Sequence, residues 1–206
     1  MGLTHAAANR ILRTRVGIAA DGGPRMKNED TGLRWHGYVT VNQFATTPYS
    51  RTVSSKGYVE GESDITDGSL VRDLGDERYY LVMSSKNEID QGRTVYKDLT
   101  LYWASVLMTI QRPNKDARDD FGMPVTQWED VVTGVRAMMI PTDLKKVSYE
   151  EKSAQTITLE LAVQRGVDVN FQDRIITDDG YQFIVTTVDL HSLPGLVQLT
   201  AEKDSR

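Results

Sequence analysis

The side chains of this 206-residue chain that could do chemistry are chiefly carboxylates and guanidinium groups, and their spacing argues against catalysis. Glu60, Glu62, Asp64 and Asp67 lie close enough together to invite a calcium-loop reading. An EF-hand needs oxygen ligands at fixed offsets around an invariant glycine, and this run does not keep them. It reads instead as a solvated, turn-like loop. Asp178 and Asp179 are adjacent, so their carboxylates point apart in a strand or turn, and they read as turn formers. Asp119-Asp120 beside Arg118, and Glu150-Glu151, read as exposed charge. The three histidines, His5, His36 and His191, are scattered, and there is no cysteine. Thiolate metal sites, disulfides and cysteine nucleophiles are thereby removed. His191, near Pro194-Gly195, has no acid or nucleophile beside it in the sequence. There is no Gly-x-Ser-x-Gly elbow, no phosphate loop and no His-Glu-x-x-His. The expectation is a non-enzyme with no catalytic residues, metal or cofactor, whose work is structural.

The net charge of −5 is unevenly placed. Residues 1–103 carry 13 basic and 13 acidic side chains, whereas residues 104–206 carry 11 and 16. A general nucleic-acid binder depends on a basic face, and this balance does not supply one. Trp35, Trp103 and Trp128 are widely spaced and read as core or interface anchors rather than base-stacking platforms. No apolar run approaches the roughly 20 residues of a membrane helix.

The elements that hold these residues read as strands. The clearest signal is Phe171 to Val188, where Arg174-Ile175-Ile176-Thr177 leads into Asp178-Asp179-Gly180 and Tyr181-Gln182-Phe183-Ile184-Val185 returns. Asp-Gly between two apolar, β-branched runs predicts a tight primed hairpin turn, with Tyr181, Phe183 and Val185 on one face. Further strands are predicted at 35–41, 52–59, 78–83, 95–103, 125–128, 131–140, 156–163 and 196–201, with Tyr102 to Ile110 as a strand or a link. Residues 111–123 read as a long charged hairpin loop, and Pro141 to Ser153 as a polar loop or short helix. Residues 1–20 carry Arg10, Arg13 and Arg15 and no acid, and Leu3, Ala7 and Ile11 recur at helical spacing. That segment is either a frayed terminus or an arm that docks on an acidic partner surface.

One internal echo shapes the parse. Arg72 and Tyr79-x-Leu81-Val82 return as Arg174 and Tyr181-x-Phe183-Ile184, each followed by a polar loop and a closing strand, Leu99-Thr100-Leu101 and Val197-Gln198-Leu199. Trp35-x-Gly37 loosely parallels Trp128 and Gly134. The expected fold is all-β: two small tandem β-barrels or sandwiches of related design, with long loops and a short N-terminal helix or arm. The expected division is an arm at 1–34, a first β domain at 35–105 and a second at 106–206.

The second half also carries a family resemblance. Ile110-Gln111-Arg112-Pro113 ends an apolar strand; Asp119-Asp120-Phe121-Gly122 and Trp128 follow, then a strand from Val135 to Pro141. After a polar excursion come Asp173-Arg174-Ile175 and Gly180-Tyr181. In this order and spacing, about 100 residues resemble the head-tail joining proteins (stopper or head-completion proteins) of tailed bacteriophages. The resemblance implies a virion protein of the neck, assembled in the host cytoplasm as a hexameric or dodecameric ring. Its partners would be portal or adaptor and tail proteins, with genomic DNA passing through the lumen without sequence specificity and no membrane involved. Arg112, Lys115, Arg118 and Phe121 then become interface or lumen candidates, and Lys145 and Lys146 candidates for touching DNA. Such proteins are commonly half this length, so residues 1–105 depart from the pattern. Tail terminators and adaptor rings share small-barrel architectures, and a free barrel binding nucleic acid or carbohydrate is the alternative of a different class.

Replacing Gly180 by Val is expected to lower stability by about 1–3 kcal/mol, the usual cost of holding an ordinary residue at positive φ. A thermal melt indistinguishable from wild type would place the turn elsewhere.

Overall fold

The computed structural model describes residues 25–41, 54–90, 92–114, 118, 123, 127–140 and 158–204. Arg10, Arg13, Arg15, Lys115, Phe121, Lys145 and Lys146 lie outside them, as do residues 1–24 of the expected arm and the 141–153 segment; residues 26–28 and 34 of that arm are strand, part of the first sheet. The chain divides into two compact units: residues 1–104 with 194–196, and residues 105–193 with 197–206.

The first unit is all strand: β1 (Met26–Asn28), β2 (Arg34–Trp35), β3 (Gly37–Val41), β4 (Ser54–Glu60), β5 (Leu70–Asp73), β6 (Tyr79–Asp90) and β7 (Arg93–Trp103). They form one sheet in the order β2-β1-β5-β6-β7-β4-β3, and each pairing is antiparallel. Its two ends, β2 and β3, are successive segments of a single bent strand broken only at His36. That strand pairs with β1 through Trp35 and Arg34, then with β4 from Gly37 onward. The sheet therefore comes full circle. Gly37 sits where the two neighbours converge: a Cβ there would lie 2.5 Å from the Tyr58 carbonyl oxygen and 2.7 Å from Met26 Sδ. Alternation along the strands turns Val71, Tyr80, Val82, Leu99 and Leu101 inward, where Met26 and Ile65 join them.

The second unit contains β8 (Val106–Asn114), β9 (Gln127–Ile140), β10 (Thr158–Gln164), β11 (Arg174–Thr177), β12 (Gln182–Asp189) and β13 (Leu196–Lys203). These close into a barrel in the order β10-β13-β12-β11-β8-β9. Val106, Met108 and Ile110 alternate inward on β8, and Phe183 and Val185 on β12. Numbering the strands within each unit, with β2 and β3 taken as one, gives the same circular order twice: 1-4-5-6-3-2. The sequence echo falls on matching strands. Arg72 and Arg174 lie on the fourth, Leu99 to Leu101 and Val197 to Leu199 on the sixth, and Trp35 and Trp128 near the start of the second.

Three local expectations change. The 171–188 hairpin closes through a three-residue loop, not a two-residue primed turn. Thr177 N–H donates to the Tyr181 carbonyl at 3.0 Å and Gly180 N–H to the Thr177 carbonyl at 2.8 Å. Gly180 adopts φ 83°, the left-handed position that a three-residue hairpin loop requires. Tyr181 consequently lies just beyond the barrel wall and is exposed, while Phe183 and Val185 are buried. The charged stretch from Gln111 is not loop at its outset: β8 continues to Asn114, because Gln111 to Asn114 pair with Asp130 to Gln127 of β9. The acidic 60–68 segment is solvated only in part: Glu62 and Asp67 are exposed, but the loop between them turns inward. Ile65 within it is fully buried, and Ser63 and Glu60 nearly so.

Gly37→Ala is expected to destabilise the first barrel by about 1–3 kcal/mol, the ordinary cost of overpacking, here against a backbone carbonyl. Urea denaturation followed by far-ultraviolet circular dichroism measures it.

Candidate functional site

In each barrel the loop joining the third strand to the fourth folds inward and inserts an aliphatic side chain into the core. In the first it is the β4–β5 loop with Ile65, and in the second the β10–β11 loop with Val169. Burying Ile65 and Val169 removes apolar surface from water, but it also carries loop backbone and nearby charges inward. Each loop is tied down by a cation from a neighbouring strand.

In the first barrel Lys97 of β7 donates from Nζ to the Ser63 and Ile65 carbonyls, the latter at 3.1 Å. Burial pushes this ammonium below its ordinary value, and the nearby Asp64 charge partly restores it. Asp64 accepts from Trp35 Nε1 at 2.7 Å and from the Thr31 hydroxyl. Burial acts to raise the Asp64 carboxyl, but hydrogen bonds from Thr31, Asn28 and Trp35 outweigh it and hold the group below the usual carboxylate range. Asp67 accepts Ser85 N–H at 2.6 Å. The acids read from sequence as a solvated run thus pin a loop. Among the described residues, no group of three or more His, Cys, Asp or Glu side chains is arranged to hold a metal ion.

In the second barrel Arg112, at the outer end of β8, holds two carboxylates of the β10–β11 loop. Its Nε and Nη2 reach Asp173 at 3.0 and 2.9 Å, and its Nη1 and Nη2 reach Asp168 at 3.2 and 3.0 Å. Asp173 is almost wholly buried and also accepts Asn170 N–H at 2.7 Å. The bidentate fork is the geometry in which a guanidinium holds a carboxylate most firmly. Hydrogen bonds to Asp173 and then Asp168 raise the Arg112 guanidinium further above its already high value, and Arg112 holds the Asp168 carboxyl below its ordinary range.

Beside the clamp, Gln111 Oε1 accepts from Arg174 Nε at 2.9 Å, while its Nε2 donates to Asp130 at 2.6 Å. Arg174 also donates to Gln182 at 3.2 Å, and its guanidinium lies 4.3 Å from the centroid of the Trp128 ring. These residues thus form a polar network of two adjoining clusters, Arg112 with Asp173 and Gln111 with Arg174 and Trp128, drawn from three separate stretches of sequence on β8, β9, β11 and the preceding loop.

Of the interface candidates, Arg112 is placed in this network and Arg118 is exposed. Among the described carboxylates, Asp179 accepts the Thr177 hydroxyl inside the hairpin loop, as a turn former does. Asp189 accepts the backbone N–H groups of His191 and Ser192 at 2.8 and 3.1 Å, together with the Ser192 hydroxyl, a local turn. Sequence reading did not single out Asp168, Asp173 or Lys97 as partners of anything. Their partners across the fold lie 32 to 61 positions away, and the only sequence trace is a charge at the edge of an apolar strand. The chain matches no known family, no curated protein and no solved structure.

Arg112→Met would leave Asp173 buried with only the Asn170 N–H, an expected loss of about 2–3 kcal/mol from the second barrel, the scale of a charged hydrogen bond. Asp168→Asn, at an exposed position, should change stability little. The acid limb follows from the depressed carboxyl of Asp64. Its stabilisation is fully present above the ordinary value of 3.8 and is lost as pH falls through its lower folded value. An acid titration followed by intrinsic tryptophan fluorescence should therefore show the first barrel losing stability below about pH 4.

Proposed function

We propose that this chain is a structural protein of the tailed-phage neck, forming a head-completion or stopper ring that joins the portal to the tail around the DNA channel. The observation that supports this reading is the convergence of the family-like elements. The Arg112-Pro113 strand end, Trp128 and the Asp173-Arg174-Ile175 step are separated by up to 63 positions, yet Arg112 holds Asp173 and Arg174 lies over the Trp128 ring. Arg112 and Asp173, two of the residues that carry the resemblance, fasten the loop that closes the second barrel. In this reading they are the scaffold of the family's barrel rather than its contact surface.

The physical design suits the role. Two barrels whose described residues hold no metal-ligating cluster offer rigid walls and little chemistry. The acid excess in residues 104–206 gives that half a surface from which DNA phosphates are repelled, so a genome can pass without being gripped. Arg118, exposed and four residues past the paired end of β8 at Asn114, is suited to contact an adjoining subunit or ring.

The reading is tested by measuring the mass of the purified chain alone and mixed with a portal ring, and by labelling virions with an antibody to the chain. A hexameric or dodecameric species formed on the portal, with label at the neck, is expected. Label confined to fibres or capsid, with no portal binding, would overturn it. Filter binding of oligonucleotide at two salt concentrations separates the alternative, because a true nucleic-acid module would bind and lose affinity steeply with salt.

A further inference from the structure

The β6–β7 ribbon runs well past the rest of its barrel. On the outer side of β6, β5 pairs only with residues 79 to 81, and Val82 exchanges hydrogen bonds with Gly68 and Ser69. Ser85 N–H is then taken by the Asp67 carboxylate. From Lys86 to Asp90, β7 is the only strand that pairs with β6 among the described residues. All five of these residues are exposed, Ile89 at 67%. An edge of this kind presents a row of unpaired backbone donors and acceptors, the usual template for adding another strand.

Which strand fits can be read from the edge itself. Ser85 directs its N–H away from β7, so Asn87, two residues on, directs its own N–H and C=O the same way. Asn87 is therefore a position at which an added antiparallel strand forms a doubly hydrogen-bonded pair. On either side of it stand Lys86 and Glu88, whose side chains share one face of the ribbon. If the incoming strand is the same segment of a second copy, a two-fold axis through Asn87 sets Asn87 against Asn87. It also sets Lys86 of each copy against Glu88 of the other. Ile89 then meets Ser85, and Asp90 meets Ser84, so no like charges stand directly opposed. Moving the axis by one residue to Glu88 would oppose two glutamates and turn the other backbone edge outward.

We propose that Lys86-Asn87-Glu88 on the outer edge of β6 is a self-pairing site, through which two copies of this chain join antiparallel across a two-fold axis. The contact is isologous, each copy giving and receiving the same two charge pairs. A closed ring joins unlike faces of successive subunits, so this pairing is a state of the free chain and is independent of the neck reading. It covers an otherwise open strand edge while the chain is outside any larger assembly.

The experiment is sedimentation equilibrium of the purified full chain across a concentration series. Wild type should dimerise. Lys86→Glu alone and Glu88→Lys alone each oppose two like-charged pairs, and each should weaken the dimer by about ten-fold or more. The double exchange Lys86→Glu with Glu88→Lys restores both pairs in reverse and should return affinity to within about three-fold of wild type. A chain that stays monomeric, single exchanges without effect, or a double exchange as weak as the singles would each overturn the proposal. Because the chain has no cysteine, Asn87→Cys supplies a single thiol on the axis. A hydrogen-bonded antiparallel pair holds its Cα atoms about 5.5 Å apart, inside the range a disulfide spans. Air oxidation should therefore give a covalent dimer, and its absence would count against the two-fold register. Equal melting temperatures across the variants confirm that the barrels are intact.

Discussion

A β-sheet cannot end in water without leaving a row of unpaired amides and carbonyls, and that constraint governs both halves of this molecule. Each half bends its sheet until the first strand meets the second, which removes the edge. In the second barrel β8 and β9 pair directly. In the first, the strand from Arg34 to Val41 bends at His36 so that its start serves β1 and its remainder β4. Gly37 is the residue that permits the bend, because any side chain there would collide with the strands on either side.

Closing a small barrel in the round leaves its ends to be filled. Both barrels use the loop between strands three and four, and both answer the cost of drawing it inward with a fixed positive charge. The solutions differ in chemistry. Lys97 is a point charge turned on loop carbonyls, which accept from any direction. Arg112 is a planar fork turned on carboxylates, and it fixes both the position and the orientation of the loop. A repeated topology has thus kept the role of the plug while changing the side chains that secure it.

Much of the architecture was legible in the sequence because it rests on short-range signals. Alternation marked β7, β10 and β12, Asp-Gly marked the hairpin, and the echo of Arg72 and Tyr79 in Arg174 and Tyr181 marked matching strands. What escaped were features set by partners far along the chain. Nothing local to Glu60–Gly68 reveals that Ile65 is core, since one aliphatic residue among four acids carries no period. The extension of β8 through Arg112 and Asn114 was hidden for the same reason: polar residues pair as well as apolar ones when a facing strand supplies the ladder. The hairpin loop was misjudged by one residue, a distinction decided by where Gly180 takes its positive φ rather than by composition.

The circular order 1-4-5-6-3-2 also governs how the molecule must be made. Strands four, five and six form a meander of near neighbours, but strand one has to wait for strand four. Met108 meets Thr177 across 69 positions, and β10 finds its second neighbour only when β13 has emerged. Closing so long a loop is slow, because its entropy is lost before the contacts that repay it exist. A nascent chain will therefore hold β8 without β11, and β10 without β13, until most of the second barrel has left the ribosome. Abundant synthesis then favours aggregation unless chaperones occupy those strands first.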